Sequence, residues 1–551
     1  MRYFFLLLLN AVMFISACSN KQYADTIYYN AVIWTGDSAN ATAEAIAIKD
    51  SMILYVGNDY NHVKGNSTEL IDAGGKLIIP GFIDNHTHFL SGGYQLANVD
   101  LRIVSTQREF INTLKTFAET LPESRWIQGG DWDHEAWGGQ LPAKEWIDSV
   151  TQNNPVMVNR YDGHMALANS AALKLAGIDK NTPNPEGGEI VKDPRTGEPT
   201  GVLKDEAMGL VNAVIPSMTT TELDESLQRA VHEALRLGIT QVHDMGSYGG
   251  FADLATYKRA WVKDSLNLRI YSFMPLSAWA KLDSLIRRDG RGDNRLFWGG
   301  VKGFVDGSLG STTAWFYTPY LDAPTTSGFT VTDTGTLRSW IHNADAAGLH
   351  VAVHAIGDQA NDWLLRTMES QGDNVRSKRF RVEHAQHLSP DALKRFGSSG
   401  IIPSVQPYHA IDDGRWAHKR LDDERLKGTY AFKSLLDHGA VMTFGSDWTV
   451  APLSPLLGIH AAVTRNTIDN KNPDGWYPEQ RISIEEALKC YTINNAYAGF
   501  MESKTGMLKD GYLADFCILS ENLFSIPASR IPEIKVEKTI LNGHVVYTLN
   551  P

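Results

Sequence analysis

Short apolar runs with strand texture open and close this chain, and between them the hydrophobic period switches back and forth between strand and helix. Residues 26–80 carry Ile27-Tyr28-Tyr29, Ala31-Val32-Ile33-Trp34, Ala45-Ile46-Ala47-Ile48, Ile53-Leu54-Tyr55-Val56 and Leu77-Ile78-Ile79, with turn residues between them. No long helical period interrupts these runs, which predicts a small antiparallel β unit. Residues 514–519, 536–543 and 544–547 have the same texture. Neither end holds enough strands to close a stable sandwich alone, so the two are expected to pair into one composite β domain.

From Phe82 onward strand and helix patterns alternate, the signature of βα units around a parallel sheet. Strand windows fall at 82–88, 239–245, 268–275, 299–307, 349–356, 379–386, 400–407 and 440–448. Eight is the number of a closed (β/α) barrel. Amphipathic runs lie between them, such as 221–237 with Leu223, Leu227, Val231 and Leu235, and the helix at Ile484 has Ser483 as its expected N-cap. The predicted fold is therefore α/β: a distorted TIM (β/α)8 barrel over 81–507, flanked by a composite β-sandwich built from 18–80 and 508–551. One connection, about residues 90–220, is far too long for a βα loop and must carry structure of its own. It leaves the C-terminal end of the first barrel strand and is expected to hang over the mouth.

Composition changes this picture little. The chain has 551 residues, 43% hydrophobic and 21% charged, with a formal net charge of -12. An acidic surface gives no electrostatic footprint for nucleic acid. Residues 1–17 read as an export signal, too short for a transmembrane span, with Arg2 ahead of an apolar stretch. Ile15-Ser16-Ala17-Cys18 resembles a bacterial lipobox, with Cys18 as the acylated residue and 19–25 as a polar leash. This predicts an exported protein, lipid-anchored to the bacterial cell envelope and facing the periplasm. Beyond Cys18 only Cys490 and Cys517 remain, so there is no disulfide framework.

Candidate chemistry begins at Gly81-Phe82-Ile83-Asp84-Asn85-His86-Thr87-His88. Alternate residues of a strand share a face, so His86 and His88 should point the same way, and neutral imidazole is the commonest metal ligand. Lys302, His354, His384 and Asp447 fall in or at the ends of other predicted strands, where barrel side chains converge on one axial pocket. His243 and His409 end the second and seventh strands and are candidates to line that pocket. Glu383 directly precedes His384 and is expected on the opposite face. Trp132 and Trp137 of the long connection either wall an apolar substrate pocket or form that segment's own core.

These motifs, with Asp162-Gly163-His164, Val301-Lys302-Gly303-Phe304-Val305-Asp306-Gly307, Gly445-Ser446-Asp447-Trp448 and Gly506-Met507-Leu508, resemble the amidohydrolase superfamily. The resemblance is to its YtcJ-like (amidohydrolase 3) branch, which includes N-substituted formamide deformylase. It implies a centre of two divalent cations, expected to be zinc. His86 and His88 would hold the more buried cation together with Asp447, and His354 and His384 the more exposed one. Lys302 would bridge both as a carboxylated lysine; the competing reading is a neutral lysine or one in a salt bridge, with Asp306 as the candidate partner. Asp447 would shuttle the proton, with His164 as a donor to the oxyanion. The implied reaction is hydrolysis of an amide-like C–N bond in a small N-acyl or N-formyl compound. A mononuclear deaminase or cyclic-amide hydrolase on the same fold, and a ligand-binding lipoprotein without turnover, stay open, as does homo-oligomerisation.

Overall fold

A computed structural model describes residues 22–550 except 152, 161–164, 186–187 and 248. The apolar windows become the parallel strands β1 (Phe82–Thr87), β2 (Ile239–Asp244), β3 (Arg269–Pro275), β4 (Leu296–Phe304), β5 (His350–Ala355), β6 (Arg381–His384), β7 (Ile402–Val405) and β8 (Thr443–Phe444). They are hydrogen-bonded to one another in chain order. β4 starts three residues ahead of its window, because Gly299-Gly300 reads as a strand breaker while the chain runs extended through it. A Cβ at Gly300 would sit 2.4 Å from the Phe273 ring, so glycine here is what lets β3 and β4 pack.

β8 is only two residues long, and the barrel closes just beyond it. Asp447 N donates to His86 O at 2.7 Å, His88 N donates to Trp448 O at 2.6 Å, and Thr87 bridges Trp448 in parallel register. The seam thereby sets Asp447 against the end of β1. Amphipathic helices cover the sheet from outside. The helix Thr220–Arg236 buries Leu227, Ala230, Val231, Ala234 and Leu235 and starts with a Thr219–Glu222 capping box. Ser483 and Glu486 cap Ile484–Tyr491 in the same way.

Strands from both chain ends share one sheet. Leu77–Pro80 lies between Val32–Trp34 and Phe516–Leu519, and the sheet continues through Val536–Leu541 to His544–Thr548. A second sheet is formed by Met52–Gly57, Ala45–Lys49, Thr26–Tyr29 and Glu69–Asp72. Tyr28, Ile46, Ile78, Phe516 and Ile540 belong to one apolar cluster spanning both sheets. The unit is mixed rather than antiparallel: Thr26–Tyr29 runs parallel to Glu69–Asp72, and Val32–Trp34 parallel to Leu77–Pro80. The hairpin of Ala45–Lys49 with Met52–Gly57 gives the chain the length to return in the same direction. Arg269 of β3 and Asp515, both buried, join barrel and sheet through Nε–Oδ2 at 2.6 Å and Nη2–Oδ1 at 2.9 Å.

The long connection holds a six-stranded sheet in the order Gly188–Lys192, Pro199–Asp205, Met165–Ala168, Met157–Arg160, Gly129–Trp132, Val99–Asp100. Phe110, Leu114, Ile127, Trp132, Val158 and Leu167 fill a core of its own. Among the described residues, no helix is long and apolar enough to cross a membrane.

Candidate metal centre

β1 departs from simple alternation where the site begins. Its ladder with β2 shifts between Asp84 and Thr87, so that Asn85 and His86 together oppose His243. This bulge turns both inward: Asn85 Nδ2 donates to Ser404 Oγ at 3.1 Å, and His86 Nε2 lies 3.5 Å from Lys302 Nζ. His88 stands outside the strand, at the N-cap of the helix Phe89–Leu96. The two imidazoles still meet, each with Nε2 3.4 Å from Asp447 Oδ1.

Four histidines each spend one ring nitrogen on a protein acceptor. His86 Nδ1 donates to Glu383 Oε2 at 2.6 Å, His88 Nδ1 to Gly246 O at 2.7 Å, and His384 Nδ1 to Gln406 Oε1 at 2.8 Å. His354 Nε2 donates to Gly307 O at 3.0 Å. The other nitrogen of each ring is thereby left with its lone pair, which is how metal-binding imidazoles are held. The rings cluster: His86 to His384 is 5.0 Å and His354 to His384 is 4.5 Å between centroids. His409, on Pro407–Asp413, lies parallel to His384 at 6.4 Å, with Nε2 3.9 Å from Asp447 Oδ2. That buried nitrogen has no hydrogen-bond partner. Two groups have ligand atoms close enough to hold an ion, His86–His88–Asp447 and His384–His409–Asp447. His384 and Asp447 both have left-handed backbones, φ +73° and +58°, a strain typical of functional positions.

Charge is arranged accordingly. Burial holds His86 down at about 4 and His354 at about 3, with Lys302 adding to both, and it lowers His384 far below the usual range. Burial opposes ionisation of Asp447, but His86, His88 and His384 around it overcome that and hold its carboxyl well below the usual range. Burial also lowers the Lys302 ammonium. Among the described residues, Lys302 has no carboxylate within ion-pair distance; its Nζ lies over the Phe304 ring at 4.7 Å. Lys302 Nζ is thus buried 3.5 Å from His86 Nε2, and the charges of Glu383 and Asp447 partly offset the effect of burial on it.

Several expectations change. Asp306 does not pair with Lys302: its carboxylate accepts Trp315 N, Ile356 N and Gly357 N at 2.7, 3.0 and 2.9 Å, tying the loop after β4 to the one after β5. Glu383 faces inward, beneath His86, on the face it shares with Arg381, and positive φ at His384 and Ala385 breaks the alternation of β6 and brings His384 toward His86 as well. Arg381 Nε meets Glu383 Oε1 at 2.7 Å, and Ser404 Oγ donates to Oε2 at 2.6 Å. The signal existed: Arg381 and Glu383 are two apart on a strand and share a face. His243 lies deeper in the barrel than the ligand cluster, fully buried, with Nδ1 3.1 Å from Arg381 Nη1 and Nε2 3.1 Å from Gln241 Nε2. Trp132 is fully buried in the core of the long connection and donates Nε1 to Val158 O at 2.9 Å. Trp137 packs on that same core and donates to Gln140 O. Neither ring lines the ligand cluster. His164 and Cys18 lie outside the described residues.

The sequence profile of the Amidohydrolase family matches residues 69–547. Protein LONG AFTER FAR-RED 3 of Arabidopsis thaliana is 43% identical, over 95% of this chain and 92% of that protein. The putative amidohydrolase YtcJ of Bacillus subtilis is 32% identical over 95% and 99%. N-substituted formamide deformylase of Arthrobacter pascens is 27% identical over 96% and 99%. The crystal structure of an uncharacterized metal-dependent hydrolase from Pyrococcus horikoshii is 29% identical, covers 92% of this chain and 99% of that one, and superposes with a TM-score of 0.75.

Proposed function

The chain belongs to the amidohydrolase family, and from that premise we propose that this hydrolase cleaves the amide-like C–N bond of an N-acyl or N-formyl compound at a centre of two divalent cations. The observation that carries the reading is the convergence of four singly anchored histidines and Asp447 beside a buried lysine whose ammonium is lowered by burial. His86 and His88 would hold the inner cation with Asp447, and His354 and His384 the outer one. Lys302 would join them once Nζ adds carbon dioxide, losing a proton to become an anionic oxygen donor; its lowered pKa supplies the free amine that this step needs. When bound, the cations supply a water of near-neutral pKa and polarise the substrate carbonyl.

The protein's own groups do the remaining work. Asp447 is held ionised and takes the proton of the attacking water, then returns it to the departing nitrogen. The unpartnered Nε2 of His409 is a candidate donor to the developing oxyanion, a role the sequence also offers to His164. Glu383 fixes the His86 tautomer from below, and Arg381 and Ser404 fix Glu383. The formamide specificity of one full-length relative supports a formyl or short acyl group.

A mononuclear centre is the second reading, favoured by the compactness of His86, His88 and Asp447 alone. Elemental mass spectrometry on protein expressed without residues 1–18, with zinc and bicarbonate supplied, separates the two. About two cations per chain, lost in a His86→Ala and His88→Ala double variant, supports the binuclear hydrolase. One cation favours a mononuclear deaminase or cyclic-amide hydrolase, and none in a folded protein overturns both. Export as a lipoprotein rests on the lipobox at Cys18; palmitate labelling of the full chain, abolished by Cys18→Ser, is its test.

A further inference from the structure

The barrel has a cavity at the end away from the ligand cluster. Its walls come from the starts of neighbouring barrel strands: Tyr271 of β3, and Phe297 of β4 and His350 of β5, whose further ends carry Lys302 and His354. Its volume is about 550 Å³, inside the range of small-molecule sites, about 300–1,000 Å³. Between it and the candidate metal centre the barrel is filled by His243, Arg381 and Glu383, so the two are separate.

We propose that this cavity is a binding site for a small aromatic carboxylate. Aromatic rings line its walls. Tyr271 and Phe297 stack at 4.6 Å with an 18° tilt, and His350 lies nearly parallel to Tyr271 at 5.9 Å. Phe500 stands edge-on to His350 at 5.0 Å. Surfaces of this kind select a planar aromatic ring through stacked and edge contacts. Phe500 is the telling residue: it is 47% exposed and its backbone is left-handed, φ +59°. An aromatic side chain in that conformation is strained and gains little from burial, so the fold holds it at the rim against both preferences. The guanidinium of Arg379, 4.5 Å from the ring, fixes it there.

The polar groups of the wall decide the rest of the ligand. His350 is used on both sides, Nδ1 by the Tyr271 hydroxyl at 3.1 Å and Nε2 by Arg379 O at 2.8 Å. Lys378 is paired with Asp345 at 2.6 Å. Asp293 accepts from Trp261 Nε1 and from the backbone N–H of Arg295 and Leu296. Arg291 remains: it donates to Gly348 O at 2.8 Å and, among the described residues, has no carboxylate within ion-pair distance. Its planar fork of donors is suited to a carboxylate at the mouth, with the aromatic ring inside.

The inference does not depend on the hydrolase reading. Calorimetric titration of the metal-loaded protein with phenylacetate, and with benzyl alcohol as its neutral counterpart, tests it. We expect phenylacetate to bind wild type and the His86→Ala and His88→Ala double variant alike, and to bind Arg291→Gln and Phe500→Gly at least about tenfold more weakly, a loss of about 1.4 kcal/mol. Both cavity positions are exposed, and glycine accepts the left-handed backbone, so neither change threatens folding. Binding lost in the double variant but kept in the cavity variants, equal affinity for benzyl alcohol, or no binding of phenylacetate would each overturn the proposal.

Discussion

Lys302 is where a single side chain decides most. Its Nζ is buried, lacks an acid partner among the described residues and sits 3.5 Å from His86 Nε2. Lys302→Ala should reduce cation content by at least about one per chain and kcat/KM by about a thousandfold or more, with partial recovery on adding a short carboxylic acid to replace the lost oxygen donor. Elemental analysis alongside a rate assay checks both. Titration at other buried residues has a predictable sign. Burial holds His387 at about 3, where it contacts Thr429 Oγ1 at 2.8 Å and Gln386 Nε2 at 3.1 Å, and it holds His350 at about 3. A histidine depressed in the folded state keeps its stabilising effect above its unfolded value of about 6.5, and loses it as pH falls toward the folded value. Unfolding free energy should therefore fall below pH 6.5 by up to about 1.4 kcal/mol per pH unit for each such ring. In His387→Gln, denaturant melts between pH 6.5 and 4.5 should show a shallower slope; an unchanged slope would show that His387 is not a source of the acid sensitivity.

At the scale of elements, the strands were legible because each is a short apolar run bounded by turns, and all eight fall in their windows but for the early start of β4. What the period could not show is where it fails. The bulge in β1 and the left-handed residues at His384 and Asp447 are departures from alternation, and these bring His86 and His384 together and place Asp447 at the seam. The ligand types and their strand ends could be read from sequence, and so could the face that Glu383 shares with Arg381; the turning of His384 onto that same face could not, since it depends on those departures. Gly445 tests the seam itself. A Cβ there would lie 2.7 Å from Asn85 Oδ1, His86 N and His86 Cβ. Those are backbone and anchored atoms that cannot yield cheaply. Gly445→Ala should push β8 away from β1, costing about 1–3 kcal/mol, and should loosen the Asp447 N to His86 O bond that aligns the carboxylate. The expected result is a lower melting temperature together with weaker cation retention. A loss of stability with cation retention intact would separate the seam from the site.

For the whole molecule, the pairing of the chain ends followed from a shortage of strands at either end, and the structure adds a reason they hold the barrel. Leu77–Pro80 leads straight into β1 and pairs with Phe516–Leu519, so the first barrel strand is anchored by the last part of the chain. Arg269 and Asp515 make the second link. A buried ion pair is weak evidence of net stabilisation, because desolvating both charges offsets their attraction, yet leaving one partner alone is expensive. Here the guanidinium would keep Asn294 O and Asn542 Oδ1 as acceptors but lose its only counter-charge among the described residues. Asp515→Ala should therefore cost about 3 kcal/mol, near the low end of the range for a broken buried pair. Arg269→Met combined with Asp515→Leu removes both charges at similar volume and should cost less than Asp515→Ala alone. Chemical denaturation of the three proteins measures the difference. If the double variant is the less stable, the pair is a net contributor to the union of sheet and barrel; the predicted order instead identifies the apolar ladder of Leu77–Pro80 and Phe516–Leu519 as what holds them together.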